Sequence, residues 1–123
     1  MINQWSFYTA KELRPTGWLR RQLEIQAEGL SGHLDLIWPD VRDSAWIGGN
    51  REGWERVPYW LDGFIPLAWL LDRDDLKERA KRYVDAIIAR QCPSGWICPC
   101  PEDAMEKYDV WALFLVCKTL TVY

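Results

Sequence analysis

The feature that most constrains the fold is residues 57–71, a helical segment that is apolar on every side. Asp62 is its only charged residue, Pro58 suits a first helical turn, and Gly63 with Pro66 predicts a kink. A helix that is apolar all round has to be covered on every side by other elements. The segment therefore predicts at least two layers of helices, with itself in the inner layer.

Amphipathic segments surround this apolar one. Residues 16–30 repeat Leu and Ala at helical spacing with charges on the opposite face, and Thr16 is placed to cap the start. Residues 75–91 show the same pattern, and Asp75 with Glu78 has the spacing of a capping box. Both segments are predicted to be surface helices with one buried face.

A fourth segment, residues 110–123, is again mostly apolar around its circumference. The order amphipathic, buried, amphipathic, buried predicts two helical hairpins in an all-α fold, arranged as part of an (α/α)6 six-hairpin toroid. The long connections, residues 31–55 and 92–107, then lie at one end, over the starts of the inner helices. A tetratricopeptide-type array is the alternative, but its connections are short and regular.

The fourth segment stops inside a helix, with no capping residue or polar end. We therefore expect residues 1–123 to be the N-terminal portion of a larger toroid, truncated inside its fourth helix.

Charge and hydropathy narrow the range of partners. The net charge is −3, and Lys and Arg alternate with Asp and Glu, so no basic stripe is present to neutralise phosphates, and no nucleic acid partner is expected. No apolar run approaches the roughly 18 residues that span a bilayer, and residues 1–7 do not have the pattern of an export signal. We expect no membrane partner and a cytoplasmic location; the oligomeric state stays open.

Tryptophan is the residue in excess, with nine copies spread along the chain. Its flat ring suits a protein core and also a sugar cleft, because the C–H face of a sugar stacks on the ring while its hydroxyls bind polar groups. Trp69 is expected in the core. Five other tryptophans are expected to gather at the end of the fold that carries the long connections, where a sugar would enter: Trp38, Trp46, Trp54, Trp96 and Trp111.

Acids near the start of an inner helix are candidates for proton transfer, since the helix dipole favours the charged form and burial among rings favours the neutral form. For Glu52 and Glu55 the alternative is a structural role, either as negative charges that stabilise the start of the helix or in an ion pair with Arg51 or Arg56. Glu55 and Asp62 lie about 10 Å apart along a helix axis, beyond the roughly 5 to 5.5 Å of retaining glycosidases. The catalytic residues therefore stay unassigned.

The chain offers little for a metal site. His33 is the only His, so a metal site with a His ligand would have to use it. The alternative is that His33 is a histidine on the surface of a loop. Cys92, Cys98 and Cys100 are separated by five residues and by one, unlike the two to four between paired zinc ligands, and Cys117 lies in an apolar segment. Structural thiols are expected, and no metal site.

The most specific motif is the run Trp54-Glu-Arg-Val-Pro-Tyr-Trp-Leu-Asp-Gly63. It is accompanied by residues 13–23, Gly29–Leu34, Trp38–Asp40, Gly95-Trp96 and Asp109–Trp111. Together these motifs resemble the start of the catalytic domain in family 127 of the glycoside hydrolases, the β-L-arabinofuranosidase-like proteins of the six-hairpin superfamily. The resemblance covers nearly all of the chain.

This resemblance implies a toroid that hydrolyses non-reducing-end sugars such as β-L-arabinofuranosides with retention, through a zinc-bound Cys nucleophile and a Glu acid/base. In the family those residues lie beyond position 123. The resemblance therefore implies no cofactor in this chain and zinc only in the full-length domain. The Gly-Trp-x-Cys-Pro-Cys stretch departs from the family's pattern, so Cys98 and Cys100 are not equated with its zinc ligands.

We therefore expect the chain to supply the wall of a glycoside hydrolase cleft. The alternative is a non-catalytic module, either carbohydrate-binding or a helical interaction surface. The expected sugar-binding residues are Trp38, Asp40, Trp54, Glu55, Tyr59, Trp60, Asp62, Asp109 and Trp111.

If the apolar segments need further neighbours, the purified chain exposes apolar surface. We expect strong fluorescence of an apolar-surface dye and self-association on size-exclusion chromatography. A cooperative thermal transition of a monomer with low dye binding would contradict this prediction.

Overall fold

The computed structural model describes residue 6 and residues 8–123, where it contains helices and no strands. The predicted all-α class is confirmed for this part of the chain. Two 3-10 turns, Ala45–Ile47 and Glu102–Lys107, lie in the long connections. The α-helices are α1 (Gly17–Glu28), α2 (Leu34–Ile37), α3 (Pro39–Arg42), α4 (Arg56–Leu71), α5 (Asp74–Ile88) and α6 (Trp111–Val122).

Helix α4 is the centre of the structure and contacts α6, α5, α1 and α3. Nine of its sixteen residues are buried, which follows from its apolar circumference. The helix continues through Gly63 and Pro66. Its exposed strip includes Tyr59 and Gly63, and this strip is the part of α4 that other elements leave open.

The helix ends differ from the predicted ones. Thr16 does occupy the N-cap of α1, but its side chain makes no capping hydrogen bond. The predicted capping box of α5 is wrong: the helix begins at Asp74, and the Asp75 carboxylate accepts from the Arg73 guanidinium at 3.0 Å. A charge-assisted hydrogen bond is stronger than a neutral one, so the arginine takes the carboxylate that the box needs.

Helix α6 is covered on one side only. Ala112, Val116 and Thr119 are buried, and the helix packs on α4, whereas Phe114 is 69% exposed. The apolar pattern predicted cover on every side, and the described residues supply it on one. Neither α6 nor any other helix in residues 8–123 has the length and apolarity needed to cross a membrane.

The two long connections meet at one end of the helices, as expected. The Tyr108 hydroxyl of the second connection donates to the Gly53 carbonyl of the first at 2.8 Å. Pro99 packs so closely on Gly53 that an added Cβ would lie 3.1 Å from its ring. The second connection therefore supports the segment that leads into α4.

A buried ion pair joins the first connection to α5. The Asp35 side chain is fully buried and accepts from Nε and Nη2 of the Arg79 guanidinium, with Nε to Oδ2 at 2.9 Å. Arg79 Nη2 also donates to the Gly32 carbonyl at 2.8 Å. Nearby, the buried Tyr83 hydroxyl donates to the Val41 carbonyl at 3.0 Å. These bonds fix the path of the first connection across the face of the molecule.

Replacing Asp35 by Asn leaves the Arg79 charge without its partner. We expect Asp35→Asn to lower the free energy of unfolding by about 3 kcal/mol, because breaking a buried pair leaves the remaining charge without a partner. Urea unfolding followed by circular dichroism measures the change. The matched control is Asp43→Asn, which loses an exposed pair with Arg42 and is expected to change the midpoint little; equal effects of the two variants would contradict the prediction.

Candidate functional site

An open cleft of about 560 Å³ lies over the first half of α4, bordered by the end of α1 and the first connection. This volume falls in the range of small-molecule sites. Its lining combines four aromatic rings with four polar side chains, a composition suited to an amphipathic ligand. The aromatic residues are Trp38, Tyr59, Trp60 and Phe64; the polar residues are Gln26, Ser31, Glu55 and Arg56; Leu34 and Gly63 complete it.

The floor of the cleft is part of the core. Trp60 stacks on Phe64 with ring centroids 4.4 Å apart, and its ring meets Tyr83 edge-on at 4.8 Å. The Trp60 indole N–H donates to the Ser31 carbonyl at 2.9 Å. Burial raises the pKa of Tyr83 to about 12, because its ionised form would lose hydration. The floor is thus apolar, packed and tied to the wall that faces it.

Two neighbouring acids at the start of α4, Glu52 and Glu55, make different contacts. The Glu52 carboxylate accepts from the backbone N–H groups of Glu55 at 2.7 Å and Arg56 at 3.3 Å, and so caps the helix. The Glu55 carboxylate lies in the cleft and pairs with the Arg56 guanidinium at 3.2 Å. The structural alternatives named for both acids are therefore present, and Glu55 also faces the cleft.

Arg56 connects this acid to an aromatic wall. Its guanidinium carbon lies 5.5 Å from the Trp38 ring centroid, a cation–π distance. Glu55, Arg56 and Trp38 therefore form one continuous edge of the cleft. A hydrogen-bond acceptor, a donor and a flat apolar ring stand side by side there, and the ion pair has no net charge.

Tyr59 and Trp111 join the two apolar helices at the rim of the cleft. The Tyr59 side chain is 48% exposed, and its hydroxyl oxygen accepts from the Trp111 indole N–H at 2.9 Å. Trp111 begins α6, and no α6 residue is in the described cleft lining, so this bond links the second apolar helix to the cleft.

Five expected sugar-binding residues lie outside the cleft lining, and one of them, Trp111, lies at its rim. The Trp54 carbonyl accepts from the Trp46 indole at 2.7 Å. Asp62 pairs with Lys118 of α6 at 2.9 Å, Asp109 accepts from the Trp111 backbone N–H at 3.0 Å, and Asp40 lies in the first turn of α3. The cleft therefore brings together Trp38, Glu55, Tyr59 and Trp60, with Trp111 at its rim.

Three other tryptophans have local packing roles. Trp46 is only 2% exposed, which corrects its expected position at the sugar entrance: its indole N–H is used inside the first connection. The Trp96 indole donates to the Cys100 carbonyl at 2.8 Å within the second connection. Trp69, expected in the core, is half-buried and packs against that core.

Sequence reasoning missed six lining residues, and two of them, Arg56 and Gly63, adjoin the expected Glu55 and Asp62. Phe64 follows Trp60 by one helical turn, and this i, i+4 spacing was the signal that placed both on one face. Gln26 lies near the end of α1, while Ser31 and Leu34 come from the first connection. No local pattern marks those three, because long-range contacts carry them to α4.

The residues that the structure describes do not fit a zinc ion. They contain no group of three or more His, Cys, Asp or Glu side chains placed to hold a metal. His33 Nδ1 lies 2.8 Å from the Gly29 carbonyl oxygen at the end of α1. Burial raises the pKa of the Cys98 thiol, which opposes the thiolate that zinc binds.

Comparison with protein-family models, with curated proteins and with solved structures finds no match for this chain. The family resemblance of the motif at residues 54–63 stays a prediction from sequence. The case for a function accordingly rests on the chemistry of the cleft.

Thiol reactivity tests the description of the second connection. We expect iodoacetamide at pH 8 to modify exposed Cys117 faster than Cys98 by about tenfold, because burial keeps the Cys98 thiol protonated and covered. Peptide mass spectrometry over a time course gives both rates. Equal rates, or protection of Cys98 by added zinc, would contradict this account.

Proposed function

We propose that the chain is part of a glycoside hydrolase and that its cleft binds a non-reducing-end sugar, such as a β-L-arabinofuranoside, over α4. The observation that carries the proposal is the edge formed by Trp38, Arg56 and Glu55, with the Tyr59 ring in the same cleft lining. This edge complements both kinds of surface on a sugar. The aromatic rings can pack on the C–H faces of the sugar, and the paired donor and acceptor can bind its hydroxyls.

The absence of net charge among the described lining side chains of the cleft supports an uncharged sugar as the ligand. Glu55 and Arg56 are the charged residues in the lining, and they neutralise each other. Two neighbouring hydroxyls of a sugar suit this pair, one donating to the carboxylate and the other accepting from the guanidinium.

The packing supports membership in a larger toroid, which we also propose. Helices α1 and α5 each contact α4, and α4 and α6 pack on each other. These contacts agree with α1 and α5 as outer helices and α4 and α6 as inner helices of a toroid. An inner helix of a toroid has an inner neighbour on both sides. The exposed apolar face of α6, with Phe114 and Val122, agrees with such a neighbour. The cytoplasm is the proposed compartment, where its free thiols stay reduced.

A wall role, with the bond-breaking groups elsewhere, agrees with the placement of the acids. Most retaining glycosidases use two carboxyl groups close together, and the mechanism implied by the resemblance needs a Cys beside a Glu; the described cleft lining contains no Cys. Glu55 is the single carboxylate among the described lining residues, since Asp62 is held on the α6 side by Lys118. The same observation favours the second candidate, a non-catalytic carbohydrate-binding module.

Sugar titration of the 123-residue chain tests the proposal. We expect methyl β-L-arabinofuranoside to quench tryptophan fluorescence, and Trp38→Ala and Glu55→Gln each to weaken binding by about tenfold, roughly 1.4 kcal/mol, through loss of stacking or of a charged acceptor. The controls are Trp18→Ala on exposed α1 and Glu78→Gln on α5, which are expected to bind as the parent does.

The outcomes separate the candidates. Release of reducing sugar from arabinose-containing oligosaccharides indicates a hydrolase, and quenching without product indicates a binding module. Absence of any response to these sugars contradicts both and leaves a helical interaction surface.

A further inference from the structure

We infer that the Tyr59 hydroxyl selects the ligand of the cleft: Trp111 orients it so that its O–H donates to a hydroxyl oxygen of the bound sugar. This inference rests on the proposed function and assigns a chemical requirement to one position of the same site.

The space above Tyr59 is open to a ligand. Tyr59 lies on the strip of α4 that no other element covers, and its half-exposed ring lines the cleft. Gly63, one turn later, also lines the cleft, and a Cβ added there would meet no atom within 4 Å. A sugar ring therefore has room beside the Tyr59 side chain.

The direction of the hydrogen bond follows from the two side chains. An indole N–H is a donor only, whereas a phenol has one O–H donor and lone pairs that accept. In the contact of 2.9 Å, Trp111 must therefore donate and Tyr59 must accept. The bond uses an acceptor lone pair of the Tyr59 oxygen, and the Tyr59 O–H has no acceptor among the described residues.

Trp111 is itself fixed at the start of α6. Its backbone N–H donates to the Asp109 carboxylate at 3.0 Å, and the next residue, Ala112, is buried in the contact between α6 and α4. The indole is thus anchored by the helix that carries it. Trp111 is a positioning residue for Tyr59, and Tyr59 is the group that contacts the ligand.

Glu55 supplies the complementary half of the recognition. Its carboxylate accepts, while the O–H of Tyr59 is a donor that no described residue uses. A sugar hydroxyl near Tyr59 is therefore recognised through its oxygen, and one near Glu55 through its hydrogen. A sugar that lacks the oxygen at the Tyr59 position leaves this O–H unpaired in the complex, which weakens binding.

The first arm of the test uses the unaltered chain and a series of sugars. Methyl β-L-arabinofuranoside is compared with its 2-, 3- and 5-deoxy analogues and with the matching mono-O-methyl ethers, by fluorescence titration. We expect one deoxy analogue to bind threefold to tenfold more weakly while its O-methyl ether, which keeps the acceptor oxygen, retains affinity. Equal binding of all deoxy analogues overturns the inference.

The second arm removes each group of the pair. Tyr59→Phe is expected to weaken the parent sugar threefold to tenfold and to abolish the penalty of that deoxy analogue. Trp111→Phe, which keeps an aromatic ring but no N–H, is expected to give part of the same loss, and the double variant to be no weaker than Tyr59→Phe. Additive losses overturn the positioning role of Trp111. Tyr123→Phe and Trp18→Phe are the matched controls, since both side chains lie away from the cleft lining.

The results distinguish this inference from the proposed function. If the parent sugar binds and Trp38→Ala weakens it while Tyr59→Phe does not, the sugar site stands and the Tyr59 assignment is overturned. If the unaltered chain does not bind the sugar, the proposed function fails and the inference fails with it. Circular dichroism of each variant verifies that its helices are intact.

Discussion

Burial of α4 is the constraint on which the rest of the structure depends. Large apolar side chains gain about 1.5 to 3 kcal/mol each when they leave water, so a helix with an apolar circumference draws other elements around it. Helices α6, α5, α1 and α3 all pack on it. The strip they leave uncovered carries Tyr59 and Gly63, and the cleft lies there.

The second dependence is the ion pair between Asp35 and Arg79, which joins the wall of the cleft to its floor. Arg79 binds the Asp35 carboxylate and the Gly32 carbonyl on the wall side, and its guanidinium lies 5.4 Å from the Phe64 ring of the floor. Phe64 in turn stacks on Trp60. One partly buried guanidinium therefore links the position of the first connection to the aromatic floor.

Most acids near the long connections are used in helix capping or ion pairs, and this limits how many carboxylates remain in the cleft lining. Helix starts have unsatisfied N–H groups, and carboxylates satisfy them well. Glu52 caps α4 and Asp109 binds the first turn of α6, while Asp62 is paired with Lys118. Glu55 is the acid left in the cleft lining, which agrees with a wall that binds sugar.

The sequence by itself determined the all-α class, the central place of residues 57–71 and the meeting of both long connections at one end, because helical periodicity and burial are local properties of the chain. It also placed Trp38, Glu55, Tyr59 and Trp60 among the site candidates. Only the tertiary structure decided which loop side chains reach α4: Trp46 packs in the core, whereas Ser31 and Leu34 line the cleft. The physical reason is that contacts such as Asp35 with Arg79 join positions 44 residues apart, and no spacing within either segment encodes them.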